Sequence, residues 1–260
     1  MLSDKPIANG GGVNILSAQM LDQTQFYTGG FPASYGNAIS GILDMSLREG
    51  NKNKLAGTGQ ASLLGIDLSV ETPMGKNQNA SALVNYRYST VGLLSKLGVQ
   101  FGDEEISFQD LSMNLSYDQK NGGKLSFFGF YGDSKNKFKA KDASEWEEDK
   151  DKYNIDYKST TYAVGVNYTV PIGRGSLFVG AAYSSSDQSR KADVSPEIPV
   201  GEYRMLNDHF EMNRALLSSN IKYSIKVRDR SSWEIGVMTN FQDDYINILE
   251  RVDSLSGSSP

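Results

Sequence analysis

The chain holds one histidine, His209, and no cysteine, so any catalytic or metal chemistry must come from a narrow set of side chains. A hydrolytic triad would need His209 as base, with Asp208 and either Ser218 or Ser219 as partners. No G-x-S-x-G elbow accompanies them, and a surface histidine beside a loop is the simpler expectation. One imidazole without a thiolate cannot fill the usual nitrogen and sulfur shell of zinc. The stretch 142–156, DASEWEEDKDKYNID, offers several carboxylates to a hard cation such as calcium. Lys150 and Lys152 interrupt it and no glycine stands at an EF-hand turn, which favours a solvated loop and leaves calcium as the secondary alternative. Trp146 and Tyr153 in the same stretch are candidates for stacking on an incoming ligand. No enzyme activity and no resident cofactor are expected.

A second group of charges points to structure. Asp67, Glu71 and Arg87 fall on the polar faces of adjacent predicted strands, while Asp44, Arg48 and Glu49 close an earlier one. Ion pairs among them could hold one part of the chain against another, each contributing roughly 0 to 1 kcal/mol where water reaches it. The 26 basic and 31 acidic residues give a net charge of -5 with no basic stripe, which argues against nucleic acid as a partner. Neither G-x-G-x-x-G nor G-x-x-x-x-G-K-[ST] occurs, so the glycines at 10–12 and 29–30 do not form a nucleotide loop.

The elements that carry these residues are strands. No run reaches the roughly 18 to 20 apolar residues that a spanning helix needs, which leaves a β-barrel open. From about Lys54 onward, apolar and polar residues alternate with the period of a strand. Leu111, Met113, Leu115 and Tyr117 oppose Ser112, Asn114, Ser116 and Asp118. Tyr162, Val164, Val166 and Tyr168 oppose Ala163, Gly165 and Asn167, and similar patterns cover 66–72, 81–88, 125–131, 177–184, 220–227 and 233–241. Short turns at 75–79, 120–123, 173–175 and 228–231 alternate with long polar connections at about 91–107, 136–157 and 189–206. Short turns on one rim, long loops on the other and strands of about ten residues describe an outer-membrane barrel. Tyr86, Tyr88, Tyr131, Tyr162 and Tyr183 would form its outer aromatic girdle, and Tyr117, Tyr168, Tyr223 and Trp233 its inner one.

Residues 1–53 read differently, with a glycine run, a short helical candidate at Ser17 to Leu21 and a glycine-rich stretch from Phe26. The segment FYTGGFPASYGNAISGILDMSLREGN, 26–51, resembles the closing segment of the plug in TonB-dependent outer-membrane receptors. Gly29, Gly30, Pro32, Tyr35, Gly36, Gly41 and the strand Ile42 to Leu47 carry the resemblance, and VNYRYS at 84–89 is similar to an early barrel strand of that family. The resemblance implies an all-β antiparallel transmembrane barrel, of which 54–260 supply about nine strands out of roughly 22. It further implies that 1–53 are the end of a small α+β plug, and that the chain is part of a longer receptor whose front plug half and TonB-contact segment lie elsewhere. The start, Met1 to Gly12, has no basic segment followed by an apolar core, which also places the true amino terminus of an exported protein upstream.

The function so implied is energy-coupled uptake of a scarce solute in the bacterial outer membrane. Its partners would be outer-membrane lipid, TonB and an extracellular ligand, with carbohydrate, siderophore, cobalamin and peptide all open. Three alternatives stand beside it: a smaller barrel acting as adhesin or passive channel, a membrane-embedded hydrolase using His209, and a soluble antiparallel sandwich.

Overall fold

The computed structural model describes residues 16–31, 35, 41–62, 65–75, 77–89, 104–147, 149–194, 205–228 and 231–252. In chain order the strands are β1 (Leu21–Tyr27), β2 (Ile42–Leu47), β3 (Ala56–Ala61), β4 (Gly65–Met74), β5 (Ala80–Ser89) and β6 (Glu104–Asp118). They continue with β7 (Lys124–Phe138), β8 (Tyr153–Ile172), β9 (Gly175–Val194), β10 (Met205–Arg228) and β11 (Ser231–Val252). Strands β3 to β11 form one nine-stranded antiparallel sheet in strict sequence order, while β1 and β2 pair separately. The sheet is open, with β3 and β11 as its two edges among the described residues.

Sequence order follows from the connections. The pieces 75–79, 119–123 and 173–174 are too short for anything but a hairpin, and glycine supplies the bend in each. Gly75, Gly122 and Gly173 have φ of 81°, 80° and 60°, where a Cβ is strained. At the opposite rim the chain between strands is longer at 90–103, 139–152 and 195–204.

Alternation along the strands translates directly into two faces. Neighbouring strands pair from β4 to β9 in unbroken register, so a face assigned on one strand carries to the next. On the polar face Ser81, Asn85 and Ser112 are 0–1 % exposed. On the apolar face Leu111 is 45 % exposed and Val164 42 %, and Ile66, Leu68, Val70, Tyr86 and Ile221 are exposed with them. The burial pattern is thus the reverse of a packed soluble sheet, in which the aliphatic side chains turn inward.

Strand length departs from the sequence expectation of about ten residues, since β8 to β11 run to 20, 20, 24 and 22 residues. Residues 136–138, 153–157, 189–194 and 205–206, expected in long loops, belong to strands instead. Of the first expected loop, 104–107 are strand and 91–103 lie outside the described residues. In these extensions the face that carries Val164 turns polar at Lys135, Asp156 and Lys158 while the opposite face takes up Phe138, Tyr153, Ile155 and Ala192, so the phase of the alternation reverses although the backbone ladder continues. Among the described residues of 1–53 the helical candidate at Ser17 to Leu21 is a single 3-10 turn, Ala18–Met20, capped by the Ser17 hydroxyl accepting from the Gln19 amide.

One local test follows from the turn at 173–174. Replacing Gly173 with alanine, at φ 60°, should cost about 1 to 2 kcal/mol in chemical denaturation. Asparagine there should cost less, because it tolerates the left-handed region; equal costs would show that backbone conformation is not the cause.

Candidate functional site

The polar face of the sheet is the surface on which the leading residues settle. Met20, fully buried, anchors the 3-10 turn, and its carbonyl accepts the Arg48 amide at 2.8 Å, which ties the turn to the end of β2. Arg48 holds the junction together: its Nε donates to the Gln19 carbonyl at 3.0 Å and its Nη1 meets the Glu71 carboxylate of β4 at 2.7 Å. The Arg48 carbonyl accepts from the Asn114 side-chain Nδ2 of β6 at 2.9 Å. Ser17 donates to Asp67 on β4 at 2.6 Å, and the Ser69 hydroxyl donates to the Gln19 side chain.

Further along, Glu49 pairs with Lys124 of β7, and Lys52 pairs with Glu49 at 2.8 Å and with Asp118 of β6. Burial alone would push the Glu49 carboxyl up, but the hydrogen bonds from Lys124 and Lys52 outweigh it and hold the group below its ordinary value. Lys52 is raised for the converse reason: its two carboxylate partners overcome its desolvation. Between these pairs Gly50 lies flat on β5, where an added Cβ would stand 2.3 Å from the Ala82 carbonyl oxygen. The segment therefore crosses the sheet by polar contacts with β4, β6 and β7 and by the close approach of Gly50 to β5, with Leu83 fully buried on that face.

The structure sorts the sequence candidates into those that bridge and those that do not. Arg48, Asp67 and Glu71 join the leading segment to the sheet. Arg87 instead pairs with Asp110 on the neighbouring β6 at 2.6 Å, and Asp67 also accepts from Asn85 at 2.5 Å, both within the sheet. Asp44 accepts from the Tyr35 hydroxyl at 2.5 Å inside the leading segment, which pushes that phenol's ionisation up. Gly29, Gly30 and Gly41 flank the β1–β2 connection, with φ 64° at Gly30; Pro32 and Gly36 lie outside the described residues. Ser17, Gln19, Lys52, Asn114, Asp118 and Lys124 were not singled out from sequence; their polarity is legible, their meeting point is not.

In the loop between β7 and β8, the Trp146 indole donates to the Lys141 carbonyl at 2.9 Å with Lys152 5.8 Å from its ring. Tyr153 is buried, so its ring is not offered to a ligand in this arrangement. Asp151 is buried too, accepts the Glu147 amide at 2.9 Å and faces Lys141 at 3.4 Å. No cluster of three potential metal ligands occurs among the described residues. His209 meets Glu211 at 2.8 Å, and Asp208 turns to Arg190 at 2.5 Å on the other face. Ser218 stands about 30 Å further along β10 at roughly 3.3 Å per residue, so the strand does not assemble a triad.

The apolar face carries the second half of the site. Tyr86, Leu111, Tyr131 and Tyr162 share one pairing row, and the Tyr162 and Tyr183 rings lie 6.0 Å apart. Tyr117, Leu125 and Tyr168 share another row, with Tyr223 and Trp233 stepping down beyond it. Along β8 the two belts are separated by about 20 Å of strand, and Val164 and Val166 fill the interval. Comparison with protein-family models, with curated proteins and with solved structures finds no match.

Two outcomes test the docking. Gly50→Ala should raise hydrogen exchange across the Ala18–Met20 turn and β2 while β8 to β10 stay protected; unchanged exchange would contradict the close approach. Glu49, with its folded value depressed, contributes to docking above the ordinary carboxylate range and loses that contribution as pH falls through its folded value. Lys52, with its value raised, contributes below its ordinary range and fails only in strong alkali. Protection of the segment should accordingly hold from neutral pH down to about pH 4 and then decline; a loss centred near neutrality would implicate other groups.

Proposed function

We propose that the chain is part of a TonB-dependent outer-membrane receptor, in which β3 to β11 belong to the barrel and the leading segment is the closing part of the plug. The observation that carries this reading is the inverted sheet: an exposed aliphatic face, bounded by two rows of tyrosine and tryptophan, backs onto a buried face of serine, asparagine and charge. Such a face suits lipid, where aliphatic side chains need no cover and aromatic rings sit at the headgroup level. Strand ladders suit it as well, since backbone groups in hydrocarbon must bond to one another.

The leading segment fits a movable plug because its attachment, apart from the buried Met20, is polar. Several ion pairs and hydrogen bonds at partly wet positions each contribute little, so the segment is held in place yet can be detached step by step by a pull. In this reading the proton gradient of the inner membrane, transmitted through TonB, supplies that pull, and an extracellular ligand passes unaltered into the periplasm. The ligand class, whether carbohydrate, iron chelate, cobalamin or peptide, stays open.

Cells producing the complete receptor should accumulate one member of a labelled panel of iron chelates, cobalamin, oligosaccharides and peptides, and should stop when the proton gradient is collapsed. Accumulation that persists without the gradient would support a passive channel. On the apolar face, Val166→Arg should cost about 2 to 4 kcal/mol of insertion into phosphatidylcholine vesicles, and Asn167→Arg much less. Equal costs would remove the lipid assignment.

A further inference from the structure

At the loop-side ends of β7 to β9 the otherwise polar face acquires a small core of its own. Phe138, Ile155 and Ala192 stand opposite one another on the three strands, and Tyr153 lies beside them, opposite Val194. Phe138 is 6 % exposed, Tyr153 9 % and Ala192 2 %. Part of the cover comes from the loop that joins β7 to β8. Its second 3-10 turn, Asp149–Lys152, holds the Lys150 ammonium 5.5 Å from the centre of the Phe138 ring, so the loop folds back over this face. Burial of apolar side chains beneath a loop gives it a hold that a solvated loop lacks.

Within the loop stands Asp151, 1 % exposed. A carboxylate so buried is tolerated when its charge is paired and its oxygens accept hydrogen bonds. Lys141 faces it at 3.4 Å and the Glu147 amide donates to it at 2.9 Å, while its own backbone carbonyl accepts the Lys141 amide at 2.8 Å. One residue thereby ties the entry of the loop at Lys141, its middle at Glu147 and its exit before Tyr153. The remaining contacts agree with a single arrangement. The Trp146 indole donates to the Lys141 carbonyl at 2.9 Å, the Glu145 amide donates to the Asp142 carbonyl at 2.8 Å, and the Asn154 side chain accepts the Ala140 amide at 3.1 Å.

We propose that Asp151 is a latch that fixes this loop in one arrangement, so that the loop is a standing wall of the surface it overhangs and does not close on a ligand as a lid. That this surface is the mouth of a barrel rests on the receptor reading; the latch does not. A wall already ordered adds no ordering cost when a ligand touches it, so its outline, with Trp146 held in place, selects by shape.

The test is hydrogen exchange on the full chain, in phosphatidylcholine vesicles and in detergent micelles, with acrylamide quenching of Trp146 in a Trp233→Phe background as a second readout. In the wild-type chain the Lys141 and Glu147 amides should exchange on the order of a hundredfold more slowly than in an unstructured peptide. Asp151→Ala should remove most of that protection and raise the quenching of Trp146, while Val164 and Val166 stay protected. Asp151→Asn, which keeps an acceptor for the Glu147 amide but not the charge opposite Lys141, should fall between the two. Loop amides that exchange at the peptide rate in the wild-type chain, or that stay fully protected in Asp151→Ala, would overturn the latch. Should Asp151→Ala also expose Val164 and Val166, Lys141→Met decides on the same amides: faster exchange confined to the loop supports the latch, and unchanged exchange overturns it. A chain that keeps the protected loop in micelles yet never enters vesicles would overturn the receptor reading and leave the latch standing.

Discussion

Backbone pairing between neighbouring strands is the constraint on which everything else here depends. From β4 to β10 every strand is bonded on both sides, so the peptide groups are satisfied within the sheet and place no demand on whatever lies against its faces. Only with that demand removed can one face be given over to Val164, Val166 and Ile221 without a covering layer. The same ladder transmits the face assignment from strand to strand, because a shift of one residue anywhere would exchange serine for valine across the remainder of the sheet.

On the polar side the physics differs. Contacts such as Arg48 with Glu71 and Ser17 with Asp67 replace bonds to water with bonds of similar strength, and their net contribution is modest. Specificity comes instead from number and from the close approach at Gly50. Besides the buried Met20, the segment is held by contacts of this kind, each of which can break singly.

Much of this was legible in the sequence, for a definite reason. Alternation survives wherever one face is apolar and the other polar, so the middles of the strands through Leu111 to Tyr117 and Tyr162 to Tyr168 could be identified, and their short turns and β2 at Ile42–Leu47 placed within a residue or two. The same logic failed where the phase of the alternation reverses, with Phe138, Tyr153, Ile155 and Ala192 on the otherwise polar face, and the loop-side ends of β7 to β10 therefore read as loops. Partner choice was less legible still. Arg87 and Arg48 look alike in sequence, yet one pairs within the sheet and the other bridges to it, because that outcome depends on where a separate segment crosses the face.

The chain has no cysteine, so single cysteines can be introduced one at a time without interference. The most direct measurement is spin-label accessibility, in reconstituted vesicles, at each position from Thr161 to Val170. Lipid contact requires labels at 162, 164, 166 and 168 to favour oxygen dissolved in the bilayer, and labels at 163, 165 and 167 to favour a water-soluble nickel chelate. A scan without that two-residue alternation, or with its phase reversed, would contradict the membrane-facing sheet.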